Sequence, residues 1–181
     1  MFLKRLLLSV CLLFLPFARW RAAFLRKLRV FHHIGEKVTI QSRKIPLYPE
    51  LISIHNNVSL ASGVLFVTHD VIHVVLQNLD PDSYYPERCG CIEIMNNVFI
   101  GANTIIQYDV RIGSNVIVAA GSVITKDIPD NSIVAGVPAR VIGKFSDLQT
   151  KRRLDPNLIM DPNSSRNKEK LWQEFQQKHK S

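Results

Sequence analysis

Residues 94–129 divide into six consecutive hexads with nothing left over: IMNNVF, IGANTI, IQYDVR, IGSNVI, VAAGSV and ITKDIP. A period of six fits no amphipathic helix, whose apolar positions recur at spacings of three and four. The first position runs Ile94, Ile100, Ile106, Ile112, Val118, Ile124, all β-branched and apolar, so these side chains must face a common interior. The fifth runs Val98, Thr104, Val110, Val116, Ser122, Ile128, so each hexad supplies two inward groups. The fourth runs Asn97, Asn103, Asp109, Asn115, Gly121, Asp127, the residue types that tolerate a left-handed backbone at a tight corner. A corner every six residues, with short strands between, describes a polygonal coil. Three hexads close one triangular turn, and stacked turns pair parallel strands around a continuous aliphatic column.

Upstream, IGEKVT and IQSRKI at residues 34–45 are in register, and PLYPEL then interrupts them. Pro46 and Pro49 mark a turn out of the coil. IHNNVS and LASGVL resume it, with Asn57 and Gly63 at the corners. The next hexad, FVTHDV, departs at both diagnostic places: His69 stands at the corner and Asp70 where an inward aliphatic belongs. Residues 71–93 carry no repeat and include Asp80-Pro81, Pro86 and Gly90, so they read as a long loop that leaves the coil and returns, rooted at His69. Tyr84, Tyr85 and Arg88 in that loop are candidates to face a sugar or a phosphate.

These hexads, followed by AGVPARVIG at residues 135–143, resemble the hexapeptide-repeat acyltransferases, and within them the maltose, galactoside and capsular-sugar O-acetyltransferase branch. The resemblance is strong over residues 94–143 and fair over 54–70. It implies a left-handed parallel β-helix, a homotrimer, acetyl-CoA as cosubstrate and no metal. The implied activity is acetyl transfer to a hydroxyl of a sugar or glycan precursor. In that branch the general base is a histidine in a Thr-His or Gly-His dipeptide, and Thr68-His69 matches. Imidazole is suited to the task because it titrates near neutrality. Backbone at Ala102 and Ala120 matches residues lining the pantetheine groove between subunits, while Thr125, Lys126 and Arg140 match those near the adenosine phosphates. Phe99 departs from the Trp common in close relatives, and Gly143 from a second Arg found in some. Asp70 can orient the imidazole or contact the sugar.

Two other enzymes share such repeats. A zinc carbonic anhydrase type needs three converging histidines, for which His55, His69 and His73 are the candidates, but the AGVPAR ending favours acyl transfer. Serine acetyltransferases carry a large helical N-terminal domain that residues 1–33 are too few to supply. A non-catalytic β-helix scaffold is the alternative outside enzymology, though it has no need of FVTHDV.

The 181 residues carry a formal charge of +8, which suggests nucleic acid until it is apportioned. Residues 1–33 hold seven basic residues and no acid, 34–143 seven basic against ten acidic, and 144–181 nine against five. The coil is thus mildly acidic and the positive charge sits at the ends, which argues against a nucleic-acid partner. The three cysteines, Cys11, Cys89 and Cys91, cannot all pair with one another and suit a reducing cytoplasm.

The chain divides into a basic, apolar segment (1–33), the coil with its excursion (34–143) and a polar tail (144–181). Within the first, the apolar run at residues 6–18 is too short to span a bilayer, which takes about 20 residues. Arg19, Arg21, Arg26, Lys27 and Arg29 follow it, a flank retained on the cytoplasmic side. Trp20, Phe24, Leu28 and Phe31 recur at helical spacing, so the segment reads as a basic amphipathic helix at an anionic membrane surface on the inner face. The alternatives are a helix packed on the end of the coil and a secretion signal. In the tail, residues 144–165 read as irregular, and EKLWQEFQQ as a short helix with Leu171, Trp172 and Phe175 on one side.

Overall fold

The computed structural model describes residues 2–153 and 165–179. Residues up to 145 form one unit and those from 146 onward a second. In the first unit short strands wind through three sheets. One stacks β1 (His33–Ile34), β3 (Ile52–Ile54), β6 (Ile92–Ile94) and β9 (Val110–Ile112). The second stacks β2 (Thr39–Ile40), β4 (Val58–Leu60), β7 (Val98–Ile100), β10 (Val116–Val118) and β12 (Ser132–Ala135), and antiparallel β13 (Arg140–Lys144) closes it. The third stacks β5 (Leu65–Val67), β8 (Ile105–Gln107) and β11 (Val123–Ile124). Each passage through the three sheets is one turn of a left-handed parallel β-helix.

The hexad register explains the stacking. Ile94 pairs with Ile112, Ile100 with Val118 and Ile106 with Ile124, each eighteen residues on, which is three hexads. All six first-position side chains are fully buried, and the six fifth-position side chains are buried with them. Burial of this kind contributes roughly 1.5–3 kcal/mol for each large aliphatic. Two inward hydroxyls are satisfied locally: Thr104 donates to the Gly101 carbonyl at 2.8 Å and Ser122 to that of Ala119 at 2.8 Å.

The corners follow the fourth position almost throughout. Asn57, Asn97 and Asn115 have φ of 56°, 60° and 57°, and their amides form a ladder: Asn57 Nδ2 donates to Asn97 Oδ1 and Asn97 Nδ2 to Asn115 Oδ1, each at 2.9 Å. Asn103 and Gly121, with φ of 57° and 71°, turn the second corner. Asp127 is the exception, because the left-handed residue of the last turn is Asn131 instead. Val118 pairs with Val134, sixteen residues on, so this turn is two residues shorter. Asp127 Oδ1 accepts from the Arg111 N–H at 2.7 Å rather than turning a left-handed corner. The coil therefore continues past Pro129, where the hexads end, through β12.

At the other end lie α1 (Phe2–Leu13) and α2 (Ala18–Lys27). Helix α2 packs on β1 and β2 through Arg21, Ala22 and Leu25. Of the aromatic and aliphatic anchors expected, Phe31 is buried and Phe24 partly so, while Trp20 and Leu28 stay about half exposed. Arg21 is 1% exposed yet satisfied. It donates to the carbonyls of Ile40 (2.8 Å), Leu15 (2.6 Å) and Pro16 (3.1 Å) and to Gln41 Oε1 (3.1 Å), tying the α1–α2 elbow to the first turn.

The excursion is not all loop. It contains α3 (Ile72–Leu79), none of whose residues is buried, and the coil resumes at Ile92, 1% exposed. Helix α4 (Phe145–Arg153), which lies in the second unit from Ser146 onward, replaces part of the expected irregular tail, with Asp147 in its first turn and Lys151, Arg152 and Arg153 in its last, as the helix dipole favours. Residues 154–164 lie outside the described residues. Helix α5 (Ser165–Lys178) carries the expected aromatic side, with Trp172 and Phe175 edge to face at 5.7 Å.

Candidate active site

Where FVTHDV breaks the hexad rule, the chain stops coiling and pairs with the returning arm of the excursion. His69 bridges Cys89 in antiparallel fashion, the Asp70 N–H donates to the Arg88 carbonyl at 3.0 Å and the Gly90 N–H to that of Thr68 at 2.9 Å. Thr68 takes the inward position, 1% exposed, and its hydroxyl donates to the Leu47 carbonyl at 2.7 Å. His69 is thus fixed from both sides by backbone. Its backbone is not left-handed, so it is no ordinary corner residue.

The imidazole is half-buried. Its Nδ1 is shielded and has no hydrogen-bond partner among the described residues. The ring edge meets Tyr48 at 5.2 Å between centroids. Tyr48 itself has φ of 51°, a strained conformation for a bulky residue, and sequence reasoning missed it. The negative charge of Glu87 is the main cause holding the Tyr48 phenol above its ordinary pKa, so it stays protonated. His69 also lines a cavity of about 790 Å³ between residues 41–47 and β5, whose wall includes Arg5, Arg43, Lys44, Leu47 and Phe66. The cavity opens where the PLYPEL interruption replaces the third strand of the first turn.

Asp70 is committed elsewhere than to the imidazole. Its Oδ2 accepts from the Tyr108 hydroxyl at 2.7 Å and its Oδ1 from the Ile72 N–H at 3.1 Å. The Tyr108 bond is the main cause holding this carboxyl below its ordinary pKa. Arg88 stacks over Tyr108 at 5.3 Å and pairs with Asp109 at 3.3 Å. Asp70 and Arg88 are thus brought together through Tyr108, a second residue that sequence reasoning missed; its signal was its place in IQYDVR, beside the third corner. Tyr85 turns into the excursion, donating to Asp80 at 3.1 Å, and Tyr84 is 85% exposed; neither shares a hydrogen bond or ring contact with the His69 group. His55 pairs with Glu93 at 3.0 Å, and Glu93 also takes Arg111 at 2.7 Å. Desolvation, then the charges of Glu87 and Asp70, push the Cys89 thiol above its ordinary pKa, which makes it a poor nucleophile.

Ala102 and Ala120 stack on one ridge at the second corner, where the Gly121 N–H donates to the Ala102 carbonyl at 2.8 Å. A Cβ on Gly101 would lie 2.4 Å from the Ala120 nitrogen, so the two turns meet here backbone to backbone. Thr125 and Lys126 are exposed just beyond β11. The Ala139 N–H donates to the Val123 carbonyl at 2.8 Å, which brings exposed Arg140 alongside the same strand. Small residues on a backbone ridge beside two exposed cations with no ion-pair partner among the described residues suit an extended chain ending in phosphates.

A family model described as bacterial transferase hexapeptide (six repeats) matches residues 92–126. A maltose O-acetyltransferase from Clostridium difficile 630 is 30% identical, with a TM-score of 0.51 over 68% of this chain and 74% of that one. The chain belongs to the hexapeptide-repeat acyltransferase family. It is also 41% identical over 116 residues to the galactoside O-acetyltransferase of Escherichia coli, a match covering 64% of this chain and only about half, 55%, of that enzyme's length. A hexapeptide-repeat-containing acetyltransferase from Vibrio cholerae O1 biovar eltor, solved in complex with acetyl coenzyme A, is 26% identical, with a TM-score of 0.52 over 76% of this chain and 83% of that one.

Proposed function

We propose that this protein is an acetyl-CoA-dependent O-acetyltransferase acting on a hydroxyl of a sugar or glycan precursor, with His69 as general base. The observation that carries the reading is the placement of His69: locked at the root of the excursion, at the wall of a cavity of about 790 Å³. Relatives that act on galactosides and maltose support the acceptor class, and the acetyl-CoA complex of the Vibrio protein supports the donor.

In the proposed reaction the acceptor hydroxyl gives its proton to His69 Nε2 as its oxygen attacks the thioester carbon. The carbonyl π electrons move onto oxygen, where a backbone N–H stabilises the charge. Collapse of that intermediate reforms the carbonyl and breaks the carbon–sulfur bond; the imidazolium returns the proton to the leaving thiolate. No acyl-enzyme is needed, consistent with the protonated Cys89 thiol. The Ala102–Ala120 ridge holds pantetheine, and Thr125, Lys126 and Arg140 meet the adenosine phosphates. Asp70, Tyr108 and Arg88 hold the root of the excursion beside the base, and Tyr84, at 85% exposure, is available to an incoming acceptor. The working unit is a homotrimer with the groove between protomers, a reading supported by α3, on which Ile72, Val75 and Leu79 are exposed among the described residues.

The test is incubation of the full chain with acetyl-CoA and a panel of mono- and disaccharides, following thiol release and the acetylated product by mass. Thiol release dependent on a sugar supports the reading; hydrolysis alone, or transfer only to amines, overturns it.

A further inference from the structure

Helix α1 has two apolar sides and the fold uses one of them. At about 100° per residue, Arg5, Leu8 and Leu12 share one side. Leu8 and Leu12 are buried at 9% and 0%, and Arg5 donates to the Ile45 carbonyl at 3.1 Å. Leu3, Leu6, Leu7, Val10 and Leu13 fall within an arc of roughly 120° on the opposite side. Those five are 42–66% exposed, and Phe14, in line with them just past the helix, is 80% exposed. Phe17 and Trp20 extend the apolar surface across the elbow, 51% and 47% exposed and edge to face at 4.7 Å. Single exposed apolar residues are ordinary; a contiguous row of eight is a contact surface.

The charge says what it contacts. No carboxylate occurs among residues 1–33, and exposed Arg19, Lys27 and Arg29 have no ion-pair partner among the described residues. Arg26 is neutralised by Glu36 at 2.6 Å. A second copy pressed on this face would bring cation against cation with no acid in the segment to pair them. An anionic bilayer satisfies both features, taking the leucines and aromatics into its acyl boundary and the cations at its headgroups. The twelve residues of α1 span roughly 18 Å, short of a hydrocarbon core of about 30 Å. No helix of the described residues is long and apolar enough to cross a membrane. The geometry thus suits lying on a bilayer. We propose that the outer face of α1, with Phe17, Trp20 and the flanking cations, is a docking surface for anionic lipid, while Arg21 and the inner face hold it to the coil.

The experiment is co-sedimentation of the full chain with phosphatidylcholine vesicles with and without phosphatidylglycerol. Binding is expected to need the anionic lipid and to fall as salt shortens the screening length from about 10 Å at 0.1 M to about 3 Å at 1 M. Arg19→Gln with Lys27→Gln should weaken it by about 30-fold, at about fivefold per cation near such a surface. Leu7→Glu with Phe14→Glu, both at exposed positions, should abolish it while leaving the circular dichroism spectrum unchanged. Failure to bind anionic vesicles overturns the proposal, as does binding that neither double variant weakens. A fall in solution mass of the Leu7→Glu/Phe14→Glu protein by analytical ultracentrifugation, with vesicle binding intact, would also overturn it by assigning the face to self-association.

Discussion

Replacing Arg21 with methionine tests how the N-terminal helices are held. Arg21 is the largest fully buried side chain among the described residues, and its guanidinium serves three backbone carbonyls, of Leu15, Pro16 and Ile40, besides Gln41. Methionine fills similar volume and removes the charge, but those carbonyls lose their donors. A buried acceptor left unpaired costs about 1–3 kcal/mol. Only the Ile40 carbonyl is bonded in a buried setting, while those of Leu15 and Pro16 are part-exposed and open to water, so after the gain from burying an apolar chain in place of a charge the net loss is about 2–3 kcal/mol. At this chain length that lowers the melting temperature by roughly 5–10 °C, at about 2–4 °C per kcal/mol. Lysine, with one donor group in place of the fork, should fall between. The assay is thermal and urea unfolding followed by circular dichroism. An Arg21→Met protein within about 1 kcal/mol of the parent, the worth of a single ordinary hydrogen bond, would refute the reasoning.

Three further outcomes are expected. Gly101→Ala forces a Cβ against the Ala120 backbone, so it should cost about 1–3 kcal/mol of stability and raise KM for acetyl-CoA, read by unfolding and initial rates. Tyr108→Phe removes the bond that favours ionised Asp70. That bond is fully present above the ordinary carboxylate pKa of about 3.9 and is lost as pH falls through the lowered one. The variant's Asp70 should therefore titrate higher by carbon-13 NMR, and the root of the excursion should loosen at a higher pH than in the parent. Lys126→Ala with Arg140→Ala should raise KM for acetyl-CoA by about tenfold or more and barely change that for the acceptor; equal effects on both would remove these residues from the phosphate site.

The coil was legible because its chemistry repeats. Burial at the first and fifth positions and left-handed backbone at the fourth are each required once per hexad, so Ile94 to Ile124 and Asn97 to Gly121 announce themselves. The final turn was not legible, because shortening it by two residues moves the corner from Asp127 to Asn131 without changing composition. Helix α3 escaped notice since it buries nothing, and periodicity reports burial. Within the site, His69 stood out as a break in a strict pattern. Its neighbours Tyr48 and Tyr108 did not, because they come from other turns and only the stacking brings them near. The apolar run at the N-terminus was read as one contact surface, whereas the structure gives it two, one packed on the coil and one exposed.

The most direct test of the proposed chemistry is His69→Ala, measured in the same preparation for turnover with a competent sugar and for acetyl-CoA affinity by calorimetry. Loss of a positioned base should lower kcat by about two to four orders of magnitude, with acetyl-CoA Kd nearly unchanged because the ridge and the cations are untouched. A variant keeping more than about a tenth of its turnover, or acetylated protein accumulating when the acceptor is withheld, would contradict direct transfer through His69.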